Sequence, residues 1–471
     1  MREIIILLVI FILTIFFIIW SPKIKIRRKE IRLDYGIIPI ISLILLWIFG
    51  LLNKQVFIDS MMGTNNLIPW QIIIIFFAVA YSTLSIDATG ILEYFAFKIL
   101  KWSKGNGKFL FFGLIGLTAL MTIFTSNDIV ILSLTPIIFY IGKHSKINPW
   151  ILLITVFFMA NSWSMFFYID NPTDIMVAQA FGFGFLEYAK LMFFPTLVAG
   201  ISTVLLCFFF FKKEIPKKIF VGKKINPKDF IRSKIYSIIG ICLLILMFIL
   251  LFLSDNFEFE IWKITLIFAG IFICLNLYFG FKHKTNQKTN QYQQAKTRHI
   301  RGNQEKKLKI NEFTMVLHRY PYKIFPLIVT LFVIVHLFTI YGITDVIAKI
   351  LSLVPGIFSG TIFISFLSAI TSNIMINQPM TLLFANAMQS PLYTIIGSAK
   401  LSHGLGLIIG SNLGGNLTMY GALAGLMWVR ILKNKGIRVS LRKFITYSLK
   451  IIPIVILLSA ITLAIKIKFL Y

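Results

Sequence analysis

A chain of 471 residues with 58% hydrophobic residues, 14% charged residues and a mean hydropathy of +0.84 is too apolar for a water-soluble fold. Several of its runs exceed the roughly 18 apolar residues that make a membrane-spanning helix. The net charge of +29 would direct a soluble protein to nucleic acid, but here Lys and Arg gather in a few loops between apolar runs. There they report membrane orientation and exclude a nucleic-acid partner.

The run Ile4 to Trp20 resembles a signal peptide only in length. Arg2 is offset by Glu3, no small-residue cleavage site follows, and the next segment, Lys23 to Arg32, is strongly basic. It reads as a retained first span with its N-terminus outside. Spans near 36 to 53 and 67 to 86 follow, joined by a loop, Lys54 to Asn66, that carries one Lys. An amphipathic stretch, Ile91 to Trp102, lies on the cytoplasmic surface. The segment about 109–141 is basic at both ends and polar at Thr125-Ser126-Asn127-Asp128, so it predicts a re-entrant hairpin whose arms are short for independent spans. A crossing at about 150–180 is interrupted at Asn161-Ser162 and at Asp170-Asn171-Pro172-Thr173-Asp174. Such polar residues at membrane depth imply a broken helix lining a cavity or buried in protein. The span 188 to 211 returns to a cytoplasmic loop with nine cations, Lys212 to Lys234.

The second half runs through spans 235 to 253 and 261 to 281, joined by the acidic loop Asp255 to Glu260. A polar linker, 282–323, then reads as flexible and cytoplasmic. Beyond it come a span at 324 to 342, an amphipathic stretch around Ala348 to Leu351, a hairpin at about 358–388, a broken helix at about 402–432, the basic loop Lys433 to Lys443 and a last span, 445 to 465. The fold class expected is therefore an all-α polytopic membrane protein of two inverted-topology repeats, 1–234 and 235–471. Each has five spanning helices and one re-entrant hairpin, with a broken helix after the hairpin. An odd number of crossings inverts the second copy.

Internal similarity supports the repeat. Thr125-Ser126-Asn127 falls on Thr371-Ser372-Asn373, and the same offset sets Thr135 on Thr381. A slightly larger offset sets Asn161 on Asn412 and Asp170 on Gly421, and Lys98-Ile99-Leu100 pairs with Lys349-Ile350-Leu351. A hairpin tip at mid-membrane leaves the first amides of its second arm as a positive dipole end, able to hold an anion or a neutral oxyacid. Carbonyls ending the first arm can hold a cation. Ser126, Asn127, Ser372 and Asn373 add donors and acceptors.

The runs Thr125-Ser126-Asn127-Asp128 with Thr135-Pro136, Asn171-Pro172-Thr173, and Gly410-x-Asn412-Leu413-Gly414-x-Asn416-Leu417-Thr418-x-x-Gly421 with Trp428 resemble the ion transporter superfamily. The likeness is strongest to its arsenite-efflux permease branch, beside the citrate, dicarboxylate and sodium/proton antiporter branches. That resemblance implies two hairpin tips meeting two broken helices at a substrate site. Its ligands would be Ser126, Asn127, Asn161, Asn171, Thr173, Ser372, Asn373, Asn377, Asn412, Gly414, Asn416, Thr418 and Gly421. It also implies a homodimer in which a transport domain moves against a scaffold. The departures are two carboxylates around Asn171-Pro172-Thr173, one Asn fewer in the second hairpin, and Gly415, Met419 and Tyr420 where the family has Pro and Ile.

Asp128, Asp170 and Asp174 would stand near the site with no Lys or Arg in the broken helices or tips to offset them. An ionised carboxylate at the bilayer centre costs about 3 kcal/mol on insertion scales, so such residues usually have a partner, a proton or a role. They are the candidates for a coupling H+ or Na+, the only cofactor expected. Alternatively Asp128 caps the second hairpin arm, and Asp170 and Asp174 sit nearer the outer interface. The expected function is secondary active transport of a small anion or neutral oxyacid in the plasma membrane, with sodium/proton antiport as the alternative. No nucleotide-binding, zinc-protease or serine-hydrolase motif occurs, so an enzyme is not expected and ATP drive would need a separate subunit. Cys207, Cys242 and Cys274 are isolated, the linker histidines His283, His299 and His318 are too scattered for a metal site, and His336 and His403, each alone in an apolar run, read as hydrogen-bonded packing residues.

Overall fold

The computed structural model describes the chain except residues 27–28, 64–66, 146, 222–225, 258, 283–311, 438 and 471. Most of the predicted linker, with His283 and His299, lies outside the described residues. Among those residues, nine helices are long and apolar enough to cross a membrane.

The first half runs α1 (Arg2–Trp20), α2 (Ile38–Ile48), α3 (Lys54–Met62), α4 (Pro69–Ala88), α5 (Ile91–Trp102), α6 (Gly107–Phe124), α7 (Asn127–His144), α8 (Trp150–Trp163), α9 (Pro172–Phe181) and α10 (Phe185–Phe211). The second runs α11 (Lys234–Phe257), α12 (Ile261–Lys282), α13 (Glu312–Arg319), α14 (Ile324–Ile340), α15 (Ile343–Leu351), α16 (Ile357–Met375), α17 (Asn377–Ala387), α18 (Gly397–Gly414), α19 (Leu423–Asn434) and α20 (Leu441–Leu470). From α4 to α10 and from α14 to α20 the order is the same: long helix, short surface helix, hairpin, broken helix, long helix.

The described residues are helical as expected, apart from an antiparallel hairpin of Lys23–Ile26 and Lys29–Arg32, with Lys23 and Glu30 bonded across it at 2.8 Å. Three expectations change. The expected span 36 to 53 is only the 11-residue α2, about 17 Å long. The following segment is no plain loop but α3, started by Asn53, whose side chain accepts the Val56 amide at 2.9 Å. The arms of the first hairpin are not short, since α6 and α7 have 18 residues each, about 27 Å; in the second hairpin α16 has 19 residues and α17 only 11. Length does not mark the hairpins; the abrupt polar break at Thr125-Ser126 does, with both residues outside helical conformation.

The linker also ends earlier than expected. The α13 helix is folded onto α4. Its Arg319 pairs with Asp87 at the end of α4 and donates to Ser133 of α7. Nearby, Arg232 donates to the Ala88 carbonyl. Burying such a cation is tolerable only with partners of this kind. Asp255, first residue of the expected acidic loop, accepts the Phe185 and Leu186 amides at 3.0 and 3.1 Å, capping α10.

At the centre stand α8 and α18. Every residue of Trp150–Ser162 and of Ser402–Gly414 is buried. That all-round burial explains why neither helix shows a one-sided apolar stripe. Around them, α6 packs on α8 and α16 on α18, while α10 and α20 pack on each other and on α8 and α18 respectively. The second arms also reach across to the other half: α7 packs on α19 as well as on α8, and α17 on α9 as well as on α16 and α18.

Candidate functional site

The two breaks have local causes. Pro172 disfavours helical backbone at Asn171 and is itself well placed at the first helical position, so α9 starts cleanly there. Asn171 is extended and its Oδ1 accepts the Thr173 amide at 3.3 Å. Upstream, Tyr168–Asp170 forms a short 3-10 turn that leads out of α8. In the second half, α18 ends at Gly414-Gly415 and the chain re-enters helix after the extended Ala422.

Three linked groups of side chains meet at these breaks. The first joins the halves: Asn127 Nδ2, at the tip of the first hairpin, donates to Asn161 Oδ1 at 3.0 Å, and Asn161 Nδ2 donates to Asn416 Oδ1 at 2.7 Å. Asn416 Nδ2 then donates to the Phe158 carbonyl at 3.2 Å, and its own carbonyl accepts Ser448 of α20. The second group centres on Asn412. Its Oδ1 accepts from Ser164 Oγ at 2.7 Å and Asn171 Nδ2 at 2.9 Å, and its Nδ2 donates to Asp174 Oδ1 at 2.6 Å and to the Ile408 carbonyl at 3.0 Å. All four hydrogen-bonding positions of that amide are thus used. Thr173 Oγ1 adds a second donor to Asp174 Oδ1 at 3.0 Å.

The third group closes the second hairpin tip. Asn373 Nδ2 donates to the Gly414 carbonyl at 2.8 Å, and its Oδ1 accepts from Thr418 at 2.7 Å. The Asn377 amide donates to the Gly421 carbonyl at 2.9 Å. Gly414 has no room for a side chain: a Cβ there would lie 2.5 Å from the Ala369 Cα and 2.6 Å from Ser372 Oγ. At Gly421 it would meet Asn373 Oδ1 at 2.5 Å. Ile376, between α16 and α17, has φ +68°, a conformation that costs a β-branched residue on the order of 1–3 kcal/mol.

Of the sequence-predicted ligands, Asn127, Asn161, Asn171, Thr173, Asn373, Asn377, Asn412, Gly414, Asn416, Thr418 and Gly421 fall in this network. Ser372 is buried beside Gly414, with its hydroxyl turned back to the Ala369 carbonyl at 2.8 Å. Ser126 is buried as the extended residue before α7. Asp170 and Asp174 are 1% and 0% exposed, so the reading that places them at a solvated interface is not what the fold adopts. Neither oxygen of Asp170, nor Oδ2 of Asp174, meets a hydrogen-bond partner among the described residues. Asp128 stays apart, half-buried in the first turn of α7. The second broken helix does carry a cation, contrary to expectation: Arg430 of α19, whose guanidinium reaches Asp34 at 3.3 Å and not the buried aspartates.

Sequence reasoning missed Ser164, one turn beyond Asn161, and Ser448 on the last span. Their polar position within apolar runs was the available signal. His403, read as a packing residue, is buried, hydrogen-bonded to Tyr393 at 2.6 Å and to the Gly356 carbonyl at 3.3 Å. Cys207 is buried while Cys242 and Cys274 are exposed on apolar helices.

Comparison with known proteins follows this architecture. The citrate transporter family profile matches residues 15–282, and the arsenical pump membrane protein profile matches residues 305–468. The chain is 26% identical over 436 residues to the arsenical pump membrane protein of Escherichia coli K12, covering 92% of this chain and 91% of that one. It is also 26% identical to a putative arsenical pump membrane protein of Bacillus subtilis, covering 81% and 84% of the two chains. An uncharacterized transporter of Synechocystis is 21% identical over 83% of this chain and 84% of its own. In fold, the chain is similar to the crystal structure of the Alcanivorax borkumensis YdaH transporter, with a TM-score of 0.55 and 12% identity, over 100% of this chain and 98% of that one. The chain belongs to the ion transporter superfamily, as a multi-pass membrane transporter of its citrate transporter and arsenical pump group.

Proposed function

We propose that this transporter moves a small anion or neutral oxyacid by alternating access, coupled to a gradient of H+ or Na+ that acts through Asp170 and Asp174. The observation that carries this reading is the Asn412 carboxamide, which ties Asp174 of one half to the helix end of the other. Asn412 also holds Ser164 and Asn171, so a change of charge at Asp174 reaches both breaks through one amide. Asn127, Asn161 and Asn416 provide a neutral hydrogen-bonding surface, suited to a hydroxylated neutral species. In the closed arrangement these groups satisfy one another, and a substrate would replace those bonds rather than create them. An ionised carboxylate at this depth is costly unless a cation or proton accompanies it.

We read the hairpins as re-entrant from opposite faces, the two halves as inverted copies, the N-terminus as outside and the location as the plasma membrane. The homodimer implied by the family resemblance, and service by a separate ATPase subunit, remain proposals of the same kind. Sodium/proton antiport is the second reading, favoured by one feature: both oxygens of Asp170 lack a donor, so this carboxylate is placed to exchange one cation for another without a substrate.

Flux in proteoliposomes under imposed pH and Na+ gradients tests both, with arsenite, phosphate, sulfate and dicarboxylates offered in parallel. Gradient-driven movement of one of these solutes, lost in Asp170→Asn and Asp174→Asn, is the expected result. Na+ exchange for H+ with no solute moving would transfer the case to the antiporter.

A further inference from the structure

At the N-terminal end of α20 an open groove of about 400 Å³ is lined by Ser440, Arg442, Lys443, Thr446, Tyr447 and Lys450. All three cations are exposed. The acid recorded against the groove is Glu214, whose Oε1 accepts the Tyr447 hydroxyl at 2.9 Å. We propose that this groove binds the phosphate of an anionic phospholipid headgroup.

Charge selects the ligand class. Three cations line one opening, while the Thr446 hydroxyl is turned to the Arg442 carbonyl at 2.8 Å and that of Tyr447 to Glu214. The start of a long helix adds its own positive end, since first-turn amides lack helical acceptors. Of these, the Lys443 amide is turned to Ser440 Oγ at 3.4 Å.

Position selects the source. Because α20 is a candidate span of 30 residues, its first three turns lie where a membrane meets water. The groove is continuous with apolar side chains left exposed by the fold: Leu441 at 41%, Leu449 at 58% and Phe210 at 36%. The Lys450 ammonium stands 6.0 Å from the Phe210 ring centroid, and the Lys443 ammonium 5.9 Å from the rings of both Trp150 and Tyr447. Lysines that lie along aromatic and apolar surface with their heads at a polar opening are arranged as interfacial anchors. A free phosphate shares the headgroup's charge but would leave that apolar rim uncovered. A phospholipid covers both.

The test uses the full-length protein in mixed micelles of neutral detergent with phosphatidylglycerol or phosphatidylcholine, bound lipid being counted by native mass spectrometry. The wild type should retain phosphatidylglycerol preferentially, and each of Arg442→Gln, Lys443→Gln and Lys450→Gln should reduce retention about fivefold, as expected for one basic side chain at an anionic surface. Raised salt should erode the preference. Equal retention by the wild type and the triple variant would overturn the proposal. So would complete displacement of the lipid by inorganic phosphate in the millimolar range, which would assign the groove to a soluble anion. Should the triple variant fail to remain monodisperse, Lys450→Gln alone decides, since an exposed third-turn lysine is not needed for folding. Unchanged retention in that variant counts against the site. Transport activity is not a readout here, so failure of the transport reading and failure of this one are distinguishable.

Discussion

The side-chain amide of Asn161 in the first half donates to the carboxamide oxygen of Asn416 in the second at 2.7 Å, and Asn161 in turn accepts from Asn127 at the first hairpin tip. One residue thus reports on a tip and on both breaks. Because both partners are buried, truncating either leaves a polar group unpaired. Asn161→Ala and Asn416→Ala should each destabilise the purified protein by about 1–2 kcal/mol. The double variant should show a coupling of about 0.5–1.5 kcal/mol, the range for hydrogen bonds between membrane helices. Thermal unfolding in detergent across the double-mutant cycle measures it, and strictly additive effects would mean that the bond carries no energy.

Asp174 separates charge from shape. Asp174→Asn keeps the size of the side chain and an oxygen for Asn412, so the melting temperature should stay within a few degrees while gradient-driven flux is lost. Asp174→Ala removes the acceptor of the Asn412 amide as well, and should cost a further 1–3 kcal/mol or so of stability. Parallel proteoliposome flux and thermal unfolding on the two variants distinguish a coupling residue from a packing one.

Close approach at the second tip gives a steric prediction. In Gly414→Ala the new methyl group would sit 2.5 Å from backbone at Ala369, which cannot rotate away, and the Asn373 to Gly414 bond would be displaced with it. A loss of about 2–3 kcal/mol and of transport is expected. Gly270→Ala, on a face of α12 with nothing within 4 Å, is the control and should change stability by less than about 1 kcal/mol.

Asp34 supplies a pH-dependent prediction outside the spans. Burial pushes its carboxyl up, but the Lys323 ammonium at 2.6 Å, the Gly36 amide at 3.1 Å and Arg430 outweigh burial and hold it below the ordinary carboxylate range. A carboxylate with a depressed value stabilises the fold fully above the unfolded pKa of about 3.9, and that contribution disappears as pH falls through the lower folded value. Lys323 is 55% exposed and Arg430 31%, so solvent screens the pair and the expected cost of Asp34→Asn is about 1–2 kcal/mol. The difference from wild type should be flat from pH 5 to 8 and narrow below about pH 4 in unfolding experiments. A difference that grows on acidification would contradict the assignment.

The polar triplets and the proline at the first break were legible in the sequence because a membrane makes such residues conspicuous, and eleven of the thirteen residues singled out there fall in the three hydrogen-bonded groups at the tips and breaks. Asp87 and Arg319 were not legible. They pair across 232 residues, with eight helices and the linker between them, a long-range choice that no local pattern records. Ile376 was hidden for the opposite reason: nothing in an Ile-rich chain marks the one held at positive φ, next to the long-range Asn377 to Gly421 bond. The α2 and α3 boundary escaped because hydropathy continues through Phe49 and Leu51 and only Gly50, at φ +75°, turns the chain.

The packing of α7 on α19 and of α17 on α9 bears on how the protein is made. When the ribosome has finished α7 at His144, its partner α19 lies about 280 residues ahead, which at roughly 5–20 residues per second is a wait of a quarter of a minute to a minute. During most of that interval Asn161 and Asn171 of the first half sit in the membrane without their counterparts Asn416 and Asn412. Biogenesis is therefore the stage at which this chain is most exposed to degradation, and a truncation after α10 should be cleared from the cell rather than accumulate as a stable half.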